Sequence, residues 1–145
     1  MVRLVPTEAH HLSLSMRVSN AAVMHLNHLG LPVRGLRRSQ QFYSASFGFD
    51  PATAQAYEDG TVIIRNTDGF DLALHPVEQV EPSPAFLHAG FRAGEPADVR
   101  ALMERMDADG ITIVERNDEA AYVAFKCLDP DGHRIEVYWE PLRVQ

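Results

Sequence analysis

The sequence predicts an α+β domain built from two copies of one module, each with the order strand, helix and three strands. Three pairs of segments match in the same order along the chain: 28–31 with 88–91, 48–49 with 110–111, and 68–74 with 131–137. Their offsets are 60, 62 and 63 residues, a drift that duplicated modules with slightly different loops would produce. We therefore divide a single domain at 25–145 into a module at 25–80 and a module at 81–145.

Each module contains one predicted helix. In the first, Leu36, Tyr43 and Phe47 fall on one helical face, and Gly48 suits the end of the helix. The second helix begins near Pro96 and ends before a glycine, with these apolar residues at helical spacing: Val99, Leu102, Met103 and Met106. We interpret these apolar and aromatic side chains as core packing.

The strands after each helix follow from β-rich segments and turns. The segments 61–65 and 122–125 are rich in β-forming residues, and Asp-Gly turns at 68–69 and 131–132 precede the last strand of each module. One helix can cover only one face of such a sheet. The other face of each sheet is therefore expected to line a cavity.

Alternation along the strands places three polar residues on the uncovered faces. Leu29 and Leu31 point towards the helix, so His28 points away from it; the same pattern turns His88 and Glu136 away from the second helix. Two imidazoles and a carboxylate suit Fe(II), Mn(II), Ni(II) or Zn(II) and leave coordination positions open. Each of these residues could instead have a structural role, the histidines as hydrogen-bonded core residues and the glutamate as the partner in an ion pair. The repeat symmetry favours a metal site.

Composition excludes several classes of function. The net charge of −7, without a basic stripe, argues against nucleic acid as a partner. The single cysteine, Cys127, cannot form an internal disulfide, and no run of 18 apolar residues is present, so we expect a cytoplasmic protein with no membrane partner. Residues 1–24 lack the apolar centre of a signal peptide, and we expect them to be a flexible extension.

Three segments resemble the glyoxalase/bleomycin-resistance/extradiol-dioxygenase (vicinal oxygen chelate) superfamily over about residues 25–141: Leu-Asn-His-Leu-Gly-Leu-Pro-Val at 26–33, the helix end at 41–49, and Asp-Pro-Asp-Gly-His-Arg-Ile-Glu at 129–136. The resemblance implies an incompletely closed eight-stranded barrel, with metal ligands on the first, fifth and eighth strands. Those positions match His28, His88 and Glu136. The resemblance also implies a homodimer, in which a second chain completes the barrel.

The reaction class stays open because the chain departs from each subfamily that it resembles. Lactoylglutathione lyases add a fourth ligand where the repeat places Ala73. Extradiol dioxygenases, which use Fe2+ or Mn2+, keep a tyrosine where this chain has Lys126, yet place a second-sphere histidine near His75. Fosfomycin-inactivating thiol transferases carry a threonine at the position of Gly30. Bleomycin-resistance proteins, which only bind their drug, lack the ligand set.

We therefore expect a metalloenzyme acting on a small substrate that chelates the metal through neighbouring oxygens. An extradiol-like dioxygenase with Fe2+ or Mn2+ is favoured over Zn2+ or Ni2+ chemistry. The alternatives are a fosfomycin-type thiol transferase, an epimerase or isomerase, and a non-enzymatic binding protein. His75 and Tyr138 are the candidate catalytic residues, and Arg92 is the candidate substrate contact. His75 next to Pro76 could instead simply end its strand, and Tyr138 and Arg92 could be rim residues.

Overall fold

The computed structural model describes residues 22–144. Most of the extension expected at 1–24 lies outside these residues; the part that is described, 22–24, is exposed and belongs to no helix or strand. No helix between residues 22 and 144 has the length and apolar character needed to cross a bilayer.

Each module has the predicted order of elements. The first comprises β1 (His28–Val33), α1 (Leu36–Phe47), β2 (Asp50–Ala56), β3 (Val62–Arg65) and β4 (Asp71–Pro76). The second comprises β5 (Ala89–Arg92), α2 (Pro96–Ala108), β6 (Ile113–Glu119), β7 (Tyr122–Leu128) and β8 (Arg134–Trp139). The strands form two four-stranded mixed sheets, ordered β1-β4-β3-β2 and β5-β8-β7-β6. The two sheets do not close into a barrel, which agrees with the incomplete closure expected from the sequence.

Strand register confirms the internal repeat residue by residue. In the first sheet Gly30 lies opposite Ala73 on the parallel β1–β4 pair, and in the second Gly90 lies opposite Glu136 on the β5–β8 pair. Ala73 is therefore the structural counterpart of Glu136. At the place where the second module has a carboxylate, the first module has only a methyl group.

Both helices end as the sequence predicts. Gly48 adopts a left-handed conformation with φ +68° directly after α1, a conformation that favours glycine over residues with a Cβ. Helix α2 starts with Pro96 at its first position and is followed by Gly110, again with positive φ. Each helix covers one face of its sheet and leaves the other face open.

Two kinds of contact join the two modules: an aromatic stack, and a set of hydrogen bonds to Asp129 and Asp131 that we call the clasp. The rings of Phe47 and Phe91 stack with their centroids 4.1 Å apart. The buried Tyr43 hydroxyl donates to Asp129 at 2.7 Å. The side chain of Asp131, which has no solvent exposure, accepts from Arg38 at 2.8 Å and from the Arg34 side chain at 3.2 Å. The Asp-Pro-Asp-Gly turn thus ties the second module to the start of α1.

Candidate metal centre

His88 and Glu136 lie together on the open face of the second sheet. Nε2 of His88 is 3.3 Å from Oε2 of Glu136, and the two side chains are 31% and 15% exposed. Nδ1 of His88 donates to the carbonyl oxygen of Phe86 at 2.7 Å. Because a carbonyl only accepts, the proton of a neutral imidazole resides on Nδ1, and the lone pair of Nε2 faces the carboxylate.

The backbone at Phe86 is strained in a way that supports this contact. Phe86 is the only non-glycine residue between 22 and 144 with positive φ, at 71°. Such a conformation costs about 1–3 kcal/mol and persists only where surrounding structure holds it. Here it orients the carbonyl group that fixes the His88 ring.

Glu136 has two further neighbours on the same face. The Tyr122 hydroxyl donates to Oε1 of Glu136 at 3.3 Å, and Nζ of Lys126 lies 3.9 Å from Oε2. Lys126 also pairs with Glu115 at 3.0 Å. Burial and the Glu136 charge raise the pKa of Tyr122, whereas the hydrogen bond from Lys126 lowers the pKa of Glu115. Tyr122 therefore stays protonated and Glu115 stays ionised at neutral pH.

His28 occupies the corresponding place in the first module, at the start of β1. Its Nδ1 donates to the side-chain oxygen of Asn27 at 3.1 Å, so its Nε2 also carries a free lone pair. His28 and His88 border a common cleft of about 770 Å³ between the modules, but Glu136 does not line it. Within residues 22–144, no three His, Cys, Asp or Glu side chains are grouped so that they could hold one metal ion. Within a single chain, two of the three predicted ligands, His88 and Glu136, thus lie next to each other.

The donor atoms that are present fit a divalent metal. Each histidine has an oxygen acceptor on Nδ1, the arrangement that commonly orients a metal-binding imidazole. The atoms of His88 and Glu136 that face each other are one nitrogen and one carboxylate oxygen, the donors preferred by Fe, Mn, Ni and Zn. His28, as a third ligand, would complete a set with open positions.

His75 lies on the open face of the first sheet, as the sequence predicts. It borders a cavity of about 720 Å³ that also contacts His28, Gly30 and Ala73. Nδ1 of His75 is 2.9 Å from the Thr61 hydroxyl oxygen, and Nε2 is free of protein partners among the described residues.

Tyr138 and Arg92 lie on the open face of the second sheet and contact each other. The Arg92 guanidinium lies 5.7 Å from the centre of the Tyr138 ring and also pairs with Glu140 through its backbone oxygen and its carboxylate. Both residues are close to the His88–Glu136 pair in the strand register, with Arg92 opposite Tyr138. Their assigned roles remain predictions.

Three neighbours of the candidate residues were not predicted from the sequence: Thr61, Tyr122 and Glu115. A signal for Thr61 existed in the turn at 68–69: a hairpin centred on residue 68 places residue 61 opposite residue 75, in line with the observed pairing of Val62 with Leu74. The same reasoning about the turn at 131–132 would have placed Lys126 opposite Glu136, as observed. Tyr122 reaches Glu136 diagonally, which strand pairing alone does not indicate. Glu115 lies opposite Lys126 only because of a register shift between Ile113 and Glu115.

The fold and these side chains agree with membership in a known superfamily. It belongs to the Glyoxalase/Bleomycin resistance protein/Dioxygenase superfamily, whose family model matches residues 25–137. The match spans both modules, from before β1 to the fourth residue of β8.

Individual relatives are more distant. The chain is 29% identical over 116 residues to glutathione transferase FosA from Serratia marcescens, covering 78% of this chain and 79% of that protein. It superposes on a possible glyoxalase from Bacillus cereus with a TM-score of 0.67 at 28% identity, covering 79% and 98% of the two chains. It superposes on the fosfomycin resistance protein FosX from Listeria monocytogenes, in complex with Mn(II) and sulfate, with a TM-score of 0.69 at 16% identity, covering 83% and 94%. The FosX likeness shows the fold alone.

Proposed function

We propose that this protein is a divalent-metal-dependent enzyme whose ligands are His88, Glu136 and His28. The observation that carries the proposal is the His88–Glu136 pair, in which Nδ1 of His88 is tied to the Phe86 carbonyl and Nε2 faces a carboxylate oxygen at 3.3 Å. A bound metal would act as a Lewis acid on neighbouring substrate oxygens. Elemental analysis after reconstitution should find about one equivalent per chain. Less than about a tenth of an equivalent with every metal would favour a binding protein without metal.

We propose further that a second copy of the chain supplies His28. Two observations support this arrangement: within residues 22–144, His28 forms no three-residue group with His88 and Glu136, and each sheet leaves one face uncovered. The active species would then be a homodimer. Its sedimentation mass should be twice the chain mass of 16.2 kDa.

Co-expressing two inactive variants distinguishes a shared site from a site within one chain. His28→Ala and Glu136→Ala each remove one ligand. In a heterodimer with shared sites, one site receives both defects and the other receives none, so purified heterodimer should bind about half an equivalent of metal per chain. If all ligands came from one chain, both sites would be damaged, and the heterodimer would bind no more metal than the parent variants.

Two reaction classes are supported by different observations. An extradiol-like oxygenation, with Fe2+ or Mn2+, is supported by the two-His-one-Glu set and by His75 on the open face. Thiol transfer is supported by the 29% identity to a glutathione transferase, with Mn2+ as the first metal to test because a FosX structure contains it. Gly30 and Lys126 replace the threonine and tyrosine typical of these relatives, so the substrate is expected to differ.

A substrate screen with and without oxygen separates the two classes. An oxygenase would consume O2 stoichiometrically with a catecholic substrate and be silent under anaerobic conditions. A transferase would consume glutathione, with fosfomycin as the first electrophile, at the same rate in both atmospheres. Turnover without oxygen would exclude the oxygenase, and oxygen uptake coupled to product would exclude simple thiol addition.

A further inference from the structure

The turn between β2 and β3 places Thr61 against His75. Nδ1 of His75 is 2.9 Å from the hydroxyl oxygen of Thr61. Thr61 is only 5% exposed, whereas His75 is exposed. The backbone amide of Thr61 donates to the carboxylate of Asp59 at 2.9 Å. Thr61 is therefore held by Asp59 through its amide and contacts the imidazole through its hydroxyl.

The tautomer of His75 decides what Nε2 can do. A hydroxyl can donate or accept, so the contact with Thr61 fits a protonated or an unprotonated Nδ1. The amide hydrogen bond from Thr61 holds the pKa of the Asp59 carboxyl below its usual value, with a smaller contribution from the charge of His75. If Thr61 accepts from Nδ1, the neutral imidazole carries its proton there, and Nε2 presents a free lone pair.

Gly30 provides the space for this imidazole. A Cβ added at Gly30 would stand 3.1 Å from Nε2 of His75, closer than an ordinary contact. The ring therefore lies across β1 at a position without a side chain, on the open face. Nε2 faces the cavity that His28 also borders, together with the ionisable side chains of Tyr57 and Glu58.

We propose that Thr61, held in place by Asp59, accepts a hydrogen bond from Nδ1 of His75 and so presents its Nε2 as a general base to the group that reacts on the open face beside His28. This proposal deepens the function proposed above and rests on it for the identity of the reaction. Nε2 would take a proton from an O–H or S–H group; that bond breaks, an N–H bond forms, and the electron pair stays on oxygen or sulfur. The resulting imidazolium keeps its hydrogen bond from Nδ1 to the Thr61 hydroxyl, as in other base–orienter pairs.

The tautomer of His75 tests the proposal without any metal or substrate. In metal-free protein labelled with 15N, long-range proton–nitrogen correlations distinguish a protonated Nδ1 from a protonated Nε2. We expect Nδ1 to carry the proton in the wild type and in Thr61→Ser, and the other tautomer to become populated in Thr61→Val. A proton on Nε2 in the wild type, or an unchanged tautomer in Thr61→Val, would overturn the proposal.

Two glycines offer a matched pair of variants for the same spectrum. Gly30→Ala should displace the His75 ring and shift its ring resonances. Gly90→Ala places a Cβ 3.7 Å from the Tyr138 ring, an ordinary contact, and should leave the His75 resonances unchanged. Equal shifts in both variants would mean that the spectrum reports general disturbance of the sheets and not the space above Gly30.

Kinetics on whichever substrate the screen identifies provide the second readout. Thr61→Val should lower kcat by about 10–100-fold, the usual effect of losing a group that orients a histidine, and Thr61→Ser should restore most of it. Metal content should not change. The control is Thr53→Val, because Thr53 bonds the Asp50 carbonyl on β2 and not His75. Full turnover in Thr61→Val would exclude the positioning role of Thr61 from the mechanism. Failure to find any substrate would count against the proposed reaction but would not affect the tautomer result.

Discussion

Replacing Asp131 by asparagine should weaken the clasp between the modules by a predictable amount. The Asp131 side chain is fully enclosed and accepts from the backbone amide of Arg34 at 3.0 Å, from its side chain, and from Arg38. Removing one partner of a buried ion pair costs about 3–5 kcal/mol. The arginine side chains are 53% and 46% exposed, so water can solvate them once the partner is lost. We therefore expect a loss of about 1.5–3 kcal/mol in the free energy of unfolding.

The loss should depend on pH in a defined direction. Burial raises the pKa of Asp131, but hydrogen bonds from Arg34 and Arg38 outweigh it and hold the pKa below its usual value. A carboxyl group with a lowered pKa stabilises the fold above its unfolded pKa of about 3.9, and this stabilisation disappears as the pH falls through the folded pKa. The difference between wild type and Asp131→Asn should thus be complete at pH 7 and shrink below about pH 4.

Urea denaturation at several pH values measures this difference directly. The matched control is Asp118→Asn, which removes the exposed ion pair of Asp118 with Arg100 and should cost less than about 1 kcal/mol. The reasoning would be refuted if the two variants were equally destabilised at pH 7. It would also be refuted if the effect of Asp131→Asn stayed constant down to pH 3.

Three further predictions concern the candidate site and the core. Glu136→Ala should weaken metal binding at least about tenfold, as measured by calorimetry. The control is Glu119→Gln, which removes an exposed carboxylate on the same sheet and should leave the affinity unchanged. Equal affinities of the two variants would exclude Glu136 as a ligand. His75→Ala should lower turnover by about 100- to 10,000-fold at unchanged metal content, and full activity would remove His75 from the mechanism. Burial, with a contribution from Asp129, raises the pKa of the Cys127 thiol to about 11, so alkylation at pH 8 should require unfolding, and rapid reaction with native protein would contradict its burial.

The fold was predictable because the repeat and the alternation of side chains are local properties of the sequence. Matching glycines on the first strand of each module aligned the halves, and the register places Gly30 and Gly90 opposite Ala73 and Glu136 as the alignment requires. The covered and open faces of each sheet followed from the period of two along the strands.

The candidate site was less predictable because it depends on how separate elements meet. Alternation placed His28 and His88 on open faces, but it could not determine that His28 lies apart from the His88–Glu136 pair within one chain. The Thr61–His75 contact depends on hairpin register, and the Lys126–Glu115 pair depends on a bulge between Ile113 and Glu115 in β6. Such irregularities in pairing change which side chains are neighbours without leaving a mark in the residue pattern.

The glycine on the first strand of each module faces an aromatic ring from the last strand, His75 over Gly30 and Tyr138 near Gly90. These rings occupy equivalent places, yet one is an imidazole and the other a phenol. The two halves also differ beside the rings, where the first has the methyl group of Ala73 and the second has the carboxylate of Glu136. The repeat therefore preserves the backbone and not the side chains, so a substitution of the ring in one half leaves the ring and the carboxylate of the other half in place.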